Sequence, residues 1–596
     1  MIQSRAVTRQ PERSAAPNRE TAATIVPLAV RELAPERRRR LIFRALPAAV
    51  LVGVLALAAG MVVGAATPSA SQRTAGDFAE AWERADVAAM HALLDDRSRE
   101  AYPLPRFRRV YRRAAVTGTV IRVEAGEPGG EDDGAVAVPL VVRTRVFGVI
   151  RARLLVPVED DRVAWAPQLV FPGLAEGERL ARRSLPPERA PILARDGEVL
   201  AEGPAVERTS PLGGLAASIA GVMEPPDTAL ERRGLYARGF PPDWPVGQNG
   251  LERAFDAELG GVPGGVLLAG SRVVAASKPR PAQPMRTTID TDVQEAAVAA
   301  LAGRLGGVAA LDPRTGEIRA LAGLAFSAPQ PPGSTFKIVT ATAALEARAV
   351  RPRSEFPYQT AAVIDGVELE NANGESCGGT FVDSFAHSCN SVFAPLGVKI
   401  GAERIVSAAV RYGWNTPPVV LGEAPSTLPK AAEITSPLDV GSTAIGQGRV
   451  LATPLRLASV AQTIASGGVR IEPRLQAGRP PVRVRVTTPR VARTIGRMMT
   501  AVVDYGTGTA AAVPGIEVAG KTGTAELEDT RGPNAETGPE QQPPPNDGTN
   551  TDAWFTAYAP ARRPRIVVAV MLVRNGAGGE TAAPAARLVL GQVLGR

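Results

Sequence analysis

Leu46–Ala66, LPAAVLVGVLALAAGMVVGAA, is a run of 21 residues without a charge. As a helix rising 1.5 Å per residue it spans about 31 Å, enough to cross the hydrocarbon core of a bilayer. Arg37–Arg40 and Arg44 stand immediately before it. The positive-inside rule keeps such a flank in the cytoplasm and sends the rest of the chain outside. A cleaved signal peptide is the alternative, with Gly64-Ala65-Ala66 as a weak cleavage site. The apolar run is longer than a usual signal core, and 44 residues make a long leader, which favours an anchor. The expectation is a single-pass protein of the cell membrane. It has a cytoplasmic basic tail (1–44), an anchor (45–66) and all later domains extracytoplasmic.

The charge balance supports this division. Of a net +8 over 596 residues, the ten arginines and four glutamates of residues 1–44 supply +6, leaving +2 for the remainder. No basic stripe is expected after the tail, and no nucleic-acid partner. Lysine occurs only at Lys278, Lys337, Lys399, Lys430 and Lys521, against 63 arginines. Arginine keeps its proton at any working pH, whereas a buried lysine can release one, so acid–base chemistry is one reason to retain lysine. Two histidines, His91 and His387, and two cysteines, Cys377 and Cys389, leave almost no material for a Cys/His zinc site. No metal or cofactor is expected.

Three regions follow the anchor. Residues 70–172 read as a small α+β domain: Phe78, Ala81, Trp82, Ala85 and Met90 fall at helical spacing, and Val116–Val123, Ala135–Thr144 and Val146–Val156 read as strands. Residues 175–290 are rich in Pro and Gly, with a tight strand–turn–strand at Ala194–Gly203 and a helix at Leu251–Leu259. That texture suits a pedestal. Residues 291–596 alternate longer elements: a hairpin at Val308–Gly323, a helix from Ser334, strands near Ile516–Thr524, Ala553–Ala559 and Ile566–Val573, and a helix from Ala582. They predict an antiparallel sheet flanked by helices, with a helical subdomain. The Pro/Gly/Asn-rich stretch Leu527–Thr551 reads as a mobile excursion between strands.

Three short motifs in this last region carry chemistry. In Pro331-Pro332-Gly333-Ser334-Thr335-Phe336-Lys337, the lysine lies one helical turn after the serine on the same face. A desolvated Lys337 could lose its proton and activate Ser334 as a nucleophile. In Ser388-Cys389-Asn390, a hydroxyl and an amide two positions apart can enter one cleft, one relaying a proton and the other holding a carbonyl. In Gly520-Lys521-Thr522-Gly523-Thr524, on a strand, the glycines admit a substrate backbone, and Lys521 and Thr522 offer donors to a carboxylate. Each motif alone is equally an N-cap, a polar turn or a strand end. Together and in this order they are the set of penicillin-binding proteins and class A β-lactamases.

With these motifs, the chain resembles class B penicillin-binding proteins, the membrane-anchored DD-transpeptidases that cross-link peptidoglycan. ARDGEVLAEG and Gly247–Gly261 look like the family's pedestal. TTIDTDVQEAA, DPRTGEIRALAG, Ile445–Ala458 and Ala553–Pro560 look like its transpeptidase domain. The small domain at 70–172 looks like the nuclear-transport-factor-like domain of the subgroup that includes low-affinity, methicillin-resistance type enzymes. One departure is Asp552, where relatives often have His before Ala-Trp-Phe; this is expected to touch strand packing more than chemistry.

The resemblance implies Ser334 as the acylated nucleophile, Lys337 as its base, and Ser388 with Lys521 as the proton return to the leaving amine. It implies an oxyanion hole of the Ser334 and Thr524 amides. Asn390 would hold the substrate amide, and Thr522, with Lys521 and Gly523, the carboxylate end. Expected partners are peptidoglycan stem peptides, β-lactams, and an elongation or division complex with a glycosyltransferase. The rivals are a DD-carboxypeptidase or β-lactamase-like hydrolase with the same motifs, and a non-catalytic penicillin-binding scaffold or sensor. A Ser-His-Asp hydrolase fits poorly, since neither histidine has a nucleophile-elbow partner.

Cys377 and Cys389 are the only cysteines and follow the predicted anchor. An oxidising compartment favours pairing them, which would fix the Ser388–Asn390 loop. Two buried free thiols are the alternative.

Overall fold

The computed structural model describes residues 68–420, 422–527 and 550–595. The basic tail, the expected anchor at 45–66 and most of Leu527–Thr551 lie outside the described residues. No described helix is long and apolar enough to cross a membrane. The chain divides into two compact units, Met1–Arg73 and Thr74–Arg596. Of the first, the description covers 68–73, where helix α1 (Ala70–Glu83) opens.

The second unit begins with helices wrapped on a sheet. α1 stops at Glu83 because Ala85 takes a left-handed φ of 55°, and α2 (Val87–Ala92) restarts with Asp86 accepting from the Ala89 amide at 3.0 Å. The helical spacing read through Ala85 to Met90 is thus two helices. After α3 (Asp96–Ala101) comes α4 (Leu104–Gly118), which buries Phe107, Tyr111 and Ala114 and exposes Arg106, Arg108, Arg109, Arg112 and Arg113. Two expectations fail here. Val116–Gly118 complete a helix, so the strand predicted from Val116 starts at Val120, after a left-handed Thr119. A basic face does recur beyond the tail, hidden from net-charge arithmetic because acidic residues elsewhere cancel it.

Strands β1 (Val120–Ala125), β2 (Ala135–Thr144) and β3 (Val149–Glu159) pair antiparallel in the order β1-β2-β3. Alternate residues Val136, Val138, Leu140 and Val142 of β2 face a core with Phe78, Phe107, Tyr111 and Trp165, the period-2 pattern of a half-buried strand.

In the middle region β4 (Leu180–Leu185), β5 (Gly264–Ala269) and β6 (Arg272–Ser277) form a sheet in the order β6-β5-β4. The helix read at Leu251–Leu259 is broken at Phe255 into Gly250–Ala254 and Asp256–Leu259. The first piece carries Glu252, fully buried and paired with two guanidiniums, Arg189 at 2.6 Å and Arg208 at 2.7 Å. Apolar residues such as Ile192, Leu200, Leu251 and Ile289 join the same core as Leu311, Phe336 and Trp554. The pedestal-like region therefore shares its packing with the domain that bears the motifs.

That domain is built on a five-stranded antiparallel sheet. Helix α5 (Thr291–Leu301) precedes β7 (Gly306–Leu311) and β8 (Ile318–Gly323). Helices α6 (Lys337–Glu346), α7 (Phe381–Ala386), α8 (Asn390–Ile400), α9 (Pro454–Ala465) and α10 (Pro489–Asp504) follow. β9 (Ala519–Glu526), β10 (Thr551–Ala559), β11 (Ile566–Leu572) and α11 (Ala583–Leu594) end the chain. The sheet order is β8-β7-β11-β10-β9, so β9 is an edge strand. On β11, Val567, Ala569 and Met571 face the core of α6, α9 and α10, while Ile566, Val568, Val570 and Leu572 face α5 and α11. Both faces are covered, which is why these strands read as unbroken apolar runs.

Glu252 generates a stability prediction. Removing one partner from a buried ion cluster leaves the others uncompensated, at a cost of about 3–5 kcal/mol. Glu252→Ala should lower the thermal midpoint sharply, whereas Glu231→Ala, on an exposed helix start, should shift it little. Thermal unfolding followed by circular dichroism checks both.

Candidate active site

The first motif does not begin as a plain α-helix. Gly333–Phe336 form a 3-10 turn that leads into α6 at Lys337. Gly333 sits at φ 51°, and a Cβ there would lie 2.6 Å from the Thr524 carbonyl oxygen of β9. Behind it Gly446, at φ 78°, would place a Cβ 2.1 Å from the Gly333 carbonyl oxygen. Both contacts require glycine. They press the Ser334 turn between strand β9 and the Ile445–Gly448 loop.

The second motif lies between α7 and α8. Thr380 caps α7 in a capping box with Asp383, and the helix ends at His387. Ser388 then takes a left-handed φ of 61°, a conformation costing a serine roughly 1–2 kcal/mol. It is held by its own amide donating to Phe385 O and that of Cys389 to Ser384 O. Cys389 is bonded to Cys377, with Cα atoms 5.8 Å apart, inside the usual range. The turn aims the Ser388 carbonyl at Lys337.

The third motif lies on edge strand β9, where alternation sends Lys521 and Thr522 to opposite faces. Lys521 is fully buried, its Nζ donating to Ser388 Oγ at 2.8 Å and to Thr522 O at 3.1 Å. Thr522 Oγ1 is 2.6 Å from Thr507 Oγ1.

These elements converge on Lys337, which is also fully buried. Its Nζ donates to the Ser388 carbonyl at 2.6 Å and to Asn390 Oδ1 at 2.6 Å, and lies 2.9 Å from Ser334 Oγ. Asn390 presents its oxygen because its Nδ2 donates to the Glu370 carbonyl at 2.6 Å. A carbonyl and an amide oxygen can only accept, so they use two amine protons. In a neutral amine the lone pair then remains for the Ser334 hydroxyl. Burial first, then the nearby charge of Lys521, holds the Lys337 amine well below the ordinary lysine value. Burial alone brings Lys521 down to about 7. The arrangement can take a proton from Ser334 and pass one along Lys521–Ser388–Lys337.

The three motifs meet in one cleft, and Ser334, Lys337, Ser388, Asn390 and Lys521 form a connected chain of polar contacts. Gly523 and Thr524 line β9 beside the Ser334 turn. His387 is half-buried, with its ring 6.2 Å from that of Tyr505, and it does not join the chain. Asp552 is fully buried at the start of β10, accepting from the Arg574 amide at 2.9 Å, and burial raises its carboxyl. It acts at a strand end, away from the Ser334–Lys337 contact. Among the described residues no His/Cys/Asp/Glu group is placed to hold a metal.

Two contributors escaped the sequence reading. Thr507 touches Thr522 and donates its amide to Ala386 O, joining β9 to α7; its only signal was the glycine on either side. Asn371, buried, accepts from the Ser391 amide at 2.9 Å and donates to Gln359 O and Glu375 O, fixing the start of α8. No motif marks it.

Residues 306–591 match the penicillin binding protein transpeptidase domain. The chain is 31% identical over 433 residues to the peptidoglycan D,D-transpeptidase PbpA of Mycolicibacterium smegmatis, covering 61% of this chain and 81% of that one. This chain is a class B penicillin-binding protein. It is also 34% identical over 303 residues to PbpA of Mycobacterium tuberculosis, a match spanning 45% of this chain and 56% of that relative. The crystal structure of the M. tuberculosis protein superposes with a TM-score of 0.54 at 26% identity, covering 68% of this chain and 99% of that one. The same M. tuberculosis protein has been solved as an acyl-enzyme with penicillin G, and that structure gives a TM-score of 0.54 at 26% identity, covering 68% of this chain and 99% of that one.

Two predictions follow from the amines of this penicillin-binding protein. Lys337→Arg keeps the positive charge but cannot supply a lone pair, so β-lactam acylation should fall by about 10²–10⁴-fold, the usual worth of a general base. Labelling kinetics with a fluorescent penicillin measure it. The acylation rate should also be bell-shaped in pH. It rises as Lys337 loses its proton and falls near pH 7 as Lys521, the fully buried donor to Ser388 Oγ, loses its own. Lys521→Arg, which stays charged, should lower the rate yet abolish the alkaline limb; stopped-flow acylation across pH 5–10 reads both.

Proposed function

We infer that this penicillin-binding protein is a serine D,D-transpeptidase that cross-links peptidoglycan stem peptides and is covalently inhibited by β-lactams. The observation that carries it is the 2.9 Å contact between the Ser334 hydroxyl and a buried Lys337 amine whose protons already have other acceptors.

Ser334 Oγ attacks the carbonyl between the two terminal D-alanines while its proton passes to Lys337. The resulting oxyanion takes hydrogen bonds from the Ser334 and Thr524 amides. The carbon–nitrogen bond breaks, and the leaving D-alanine amine takes a proton from Lys337 through Ser388, which Lys521 holds in place. An ester on Ser334 remains. The amine of a second stem peptide attacks this ester and gives up a proton to Lys337. The new amide forms and the Ser334 hydroxyl is restored. Asn390 has one Nδ2 proton left after the Glu370 bond and uses it on the substrate amide. Thr522 hydrogen-bonds the carboxylate while the charge of Lys521, on the other face of the strand, attracts it, and Gly523 gives the backbone access to β9. A β-lactam follows the first half and remains on Ser334.

Residues 45–66 anchor the enzyme in the cell membrane, with the catalytic unit outside. Residues 70–172, helices on an antiparallel sheet, serve as a nuclear-transport-factor-like domain, 175–290 as the pedestal and 291–596 as the transpeptidase domain. A glycosyltransferase of the elongation or division machinery supplies the strands to be cross-linked.

Fluorescent penicillin should label the wild type and leave Ser334→Ala unlabelled. With two stem peptides, one blocked at its side-chain amine, mass spectrometry should find the cross-linked dimer and free D-alanine. Labelling of Ser334→Ala removes the nucleophile assignment. Hydrolysed monomer with no dimer makes the protein a carboxypeptidase.

A further inference from the structure

Helix α4 carries LPRFRRVYRRAAVTG, with five arginines and no acidic residue. At 100° per residue Phe107, Tyr111, Ala114 and Gly118 share one side, and Arg106, Arg108, Arg109, Arg112 and Arg113 spread over roughly 160° of the other. All five arginines are exposed. Arg106 bonds the Ala101 carbonyl and lies over the Tyr102 ring. Among the described residues, none of Arg108, Arg109, Arg112 and Arg113 forms an ion pair. Four guanidiniums thus share one helix face with no carboxylate to neutralise them.

Beside this face lies a cavity of about 410 Å³, mostly apolar, lined by Trp82, Val87 and Tyr111, with Arg108 and Arg112 at its rim. Its one carboxylate, Asp86, caps α2. Trp82 is half-buried and meets Tyr111 edge-on at 5.3 Å. An aromatic body beside arginines suits a boundary between apolar and charged surroundings. In the sequence, Trp82 follows the end of the expected anchor, Ala66, by 16 residues. Three residues, 67–69, separate the expected anchor from α1, which carries Trp82.

We propose that the arginine face of α4 and the Trp82 cavity form a docking surface for the anionic phosphate headgroups of the bilayer that holds the anchor. This surface holds the small domain against the membrane. The inference rests on reading 45–66 as an anchor. Each arginine brought to an anionic surface strengthens partitioning by about five-fold, so the four act together as a strong electrostatic contact.

The test uses the full-length protein. Because Cys377 and Cys389 are bonded to each other, Ala88→Cys at the exposed cavity rim provides a single free thiol for a fluorophore. The labelled chain is placed in nanodiscs of phosphatidylglycerol or of phosphatidylcholine, each containing a headgroup nitroxide. Quenching should be several-fold stronger in phosphatidylglycerol and be reversed by about 1 M sodium chloride, where the Debye length falls to about 3 Å. It should disappear when Arg108, Arg109, Arg112 and Arg113 are all changed to Gln, while penicillin labelling of Ser334 is unchanged. Equal quenching in the two lipids, or its survival in the glutamine variant, overturns the proposal. So does tight binding of soluble polyphosphate without lipid quenching, which assigns the face to a different polyanion. Alkaline carbonate extraction separates the two readings: a chain released from membranes fails as an anchored protein, and one that is retained but unquenched fails only the docking surface.

Discussion

The polar contacts that join the three motifs depend on one amine kept out of water. Lys337 reaches its place because a 3-10 turn and then α6 carry it inward, where burial first, then the nearby charge of Lys521, holds its amine well below the ordinary lysine value. Two of its neighbours, the Ser388 carbonyl and the Asn390 amide oxygen, can only accept, and the ring of Phe393 lies with its centroid 5.5 Å away. An aspartate in place of Asn390 would hold the proton on the amine and silence it. An amide keeps the position of an oxygen without its charge, which is why an asparagine suits that position better than a carboxylate.

Placing that amine takes contributions from distant parts of the chain. α6 supplies the amine, the left-handed Ser388 between α7 and α8 supplies a carbonyl, and Asn390 is turned by Glu370. Lys521 arrives on a strand formed near the end of the sequence. These pieces hold together because the sheet is packed on both faces and the larger core extends into the pedestal-like region. Ser388 gives up backbone comfort to face Lys337, and the bond from Cys389 to Cys377 restrains the loop that does so.

Much of the site was legible in the sequence because its chemistry is local. Ser334 and Lys337 are one turn apart, Ser388 and Asn390 two residues apart, and Lys521–Thr524 contiguous, so the three motifs could be read together even though each alone was ambiguous. The long apolar strands of the last domain were equally readable: Ile566–Leu572 has no polar position to obscure it. What escaped was set by backbone or by distance. The Glu370 carbonyl belongs to no residue type, and the link between Thr507 and Thr522 depends on how α10 returns the chain to β9. Element ends in the small domain were missed where one left-handed residue set them: Ala85 stopped a helix whose apolar spacing ran on, and Thr119 closed a helix whose last residues had read as the start of a strand. The arginine face of α4 was missed because total charge averages over the chain while a helix concentrates it on one side.

Strand β9 stands at the rim of its sheet with no further strand beside it among the described residues, ordinarily an invitation to unwanted pairing between chains. Here the Gly333–Phe336 turn closes against Thr524, so an added strand runs into Ser334 after a few residues. The rim therefore works as a ruler. Only a short extended segment could be added along it before meeting the Gly333–Phe336 turn.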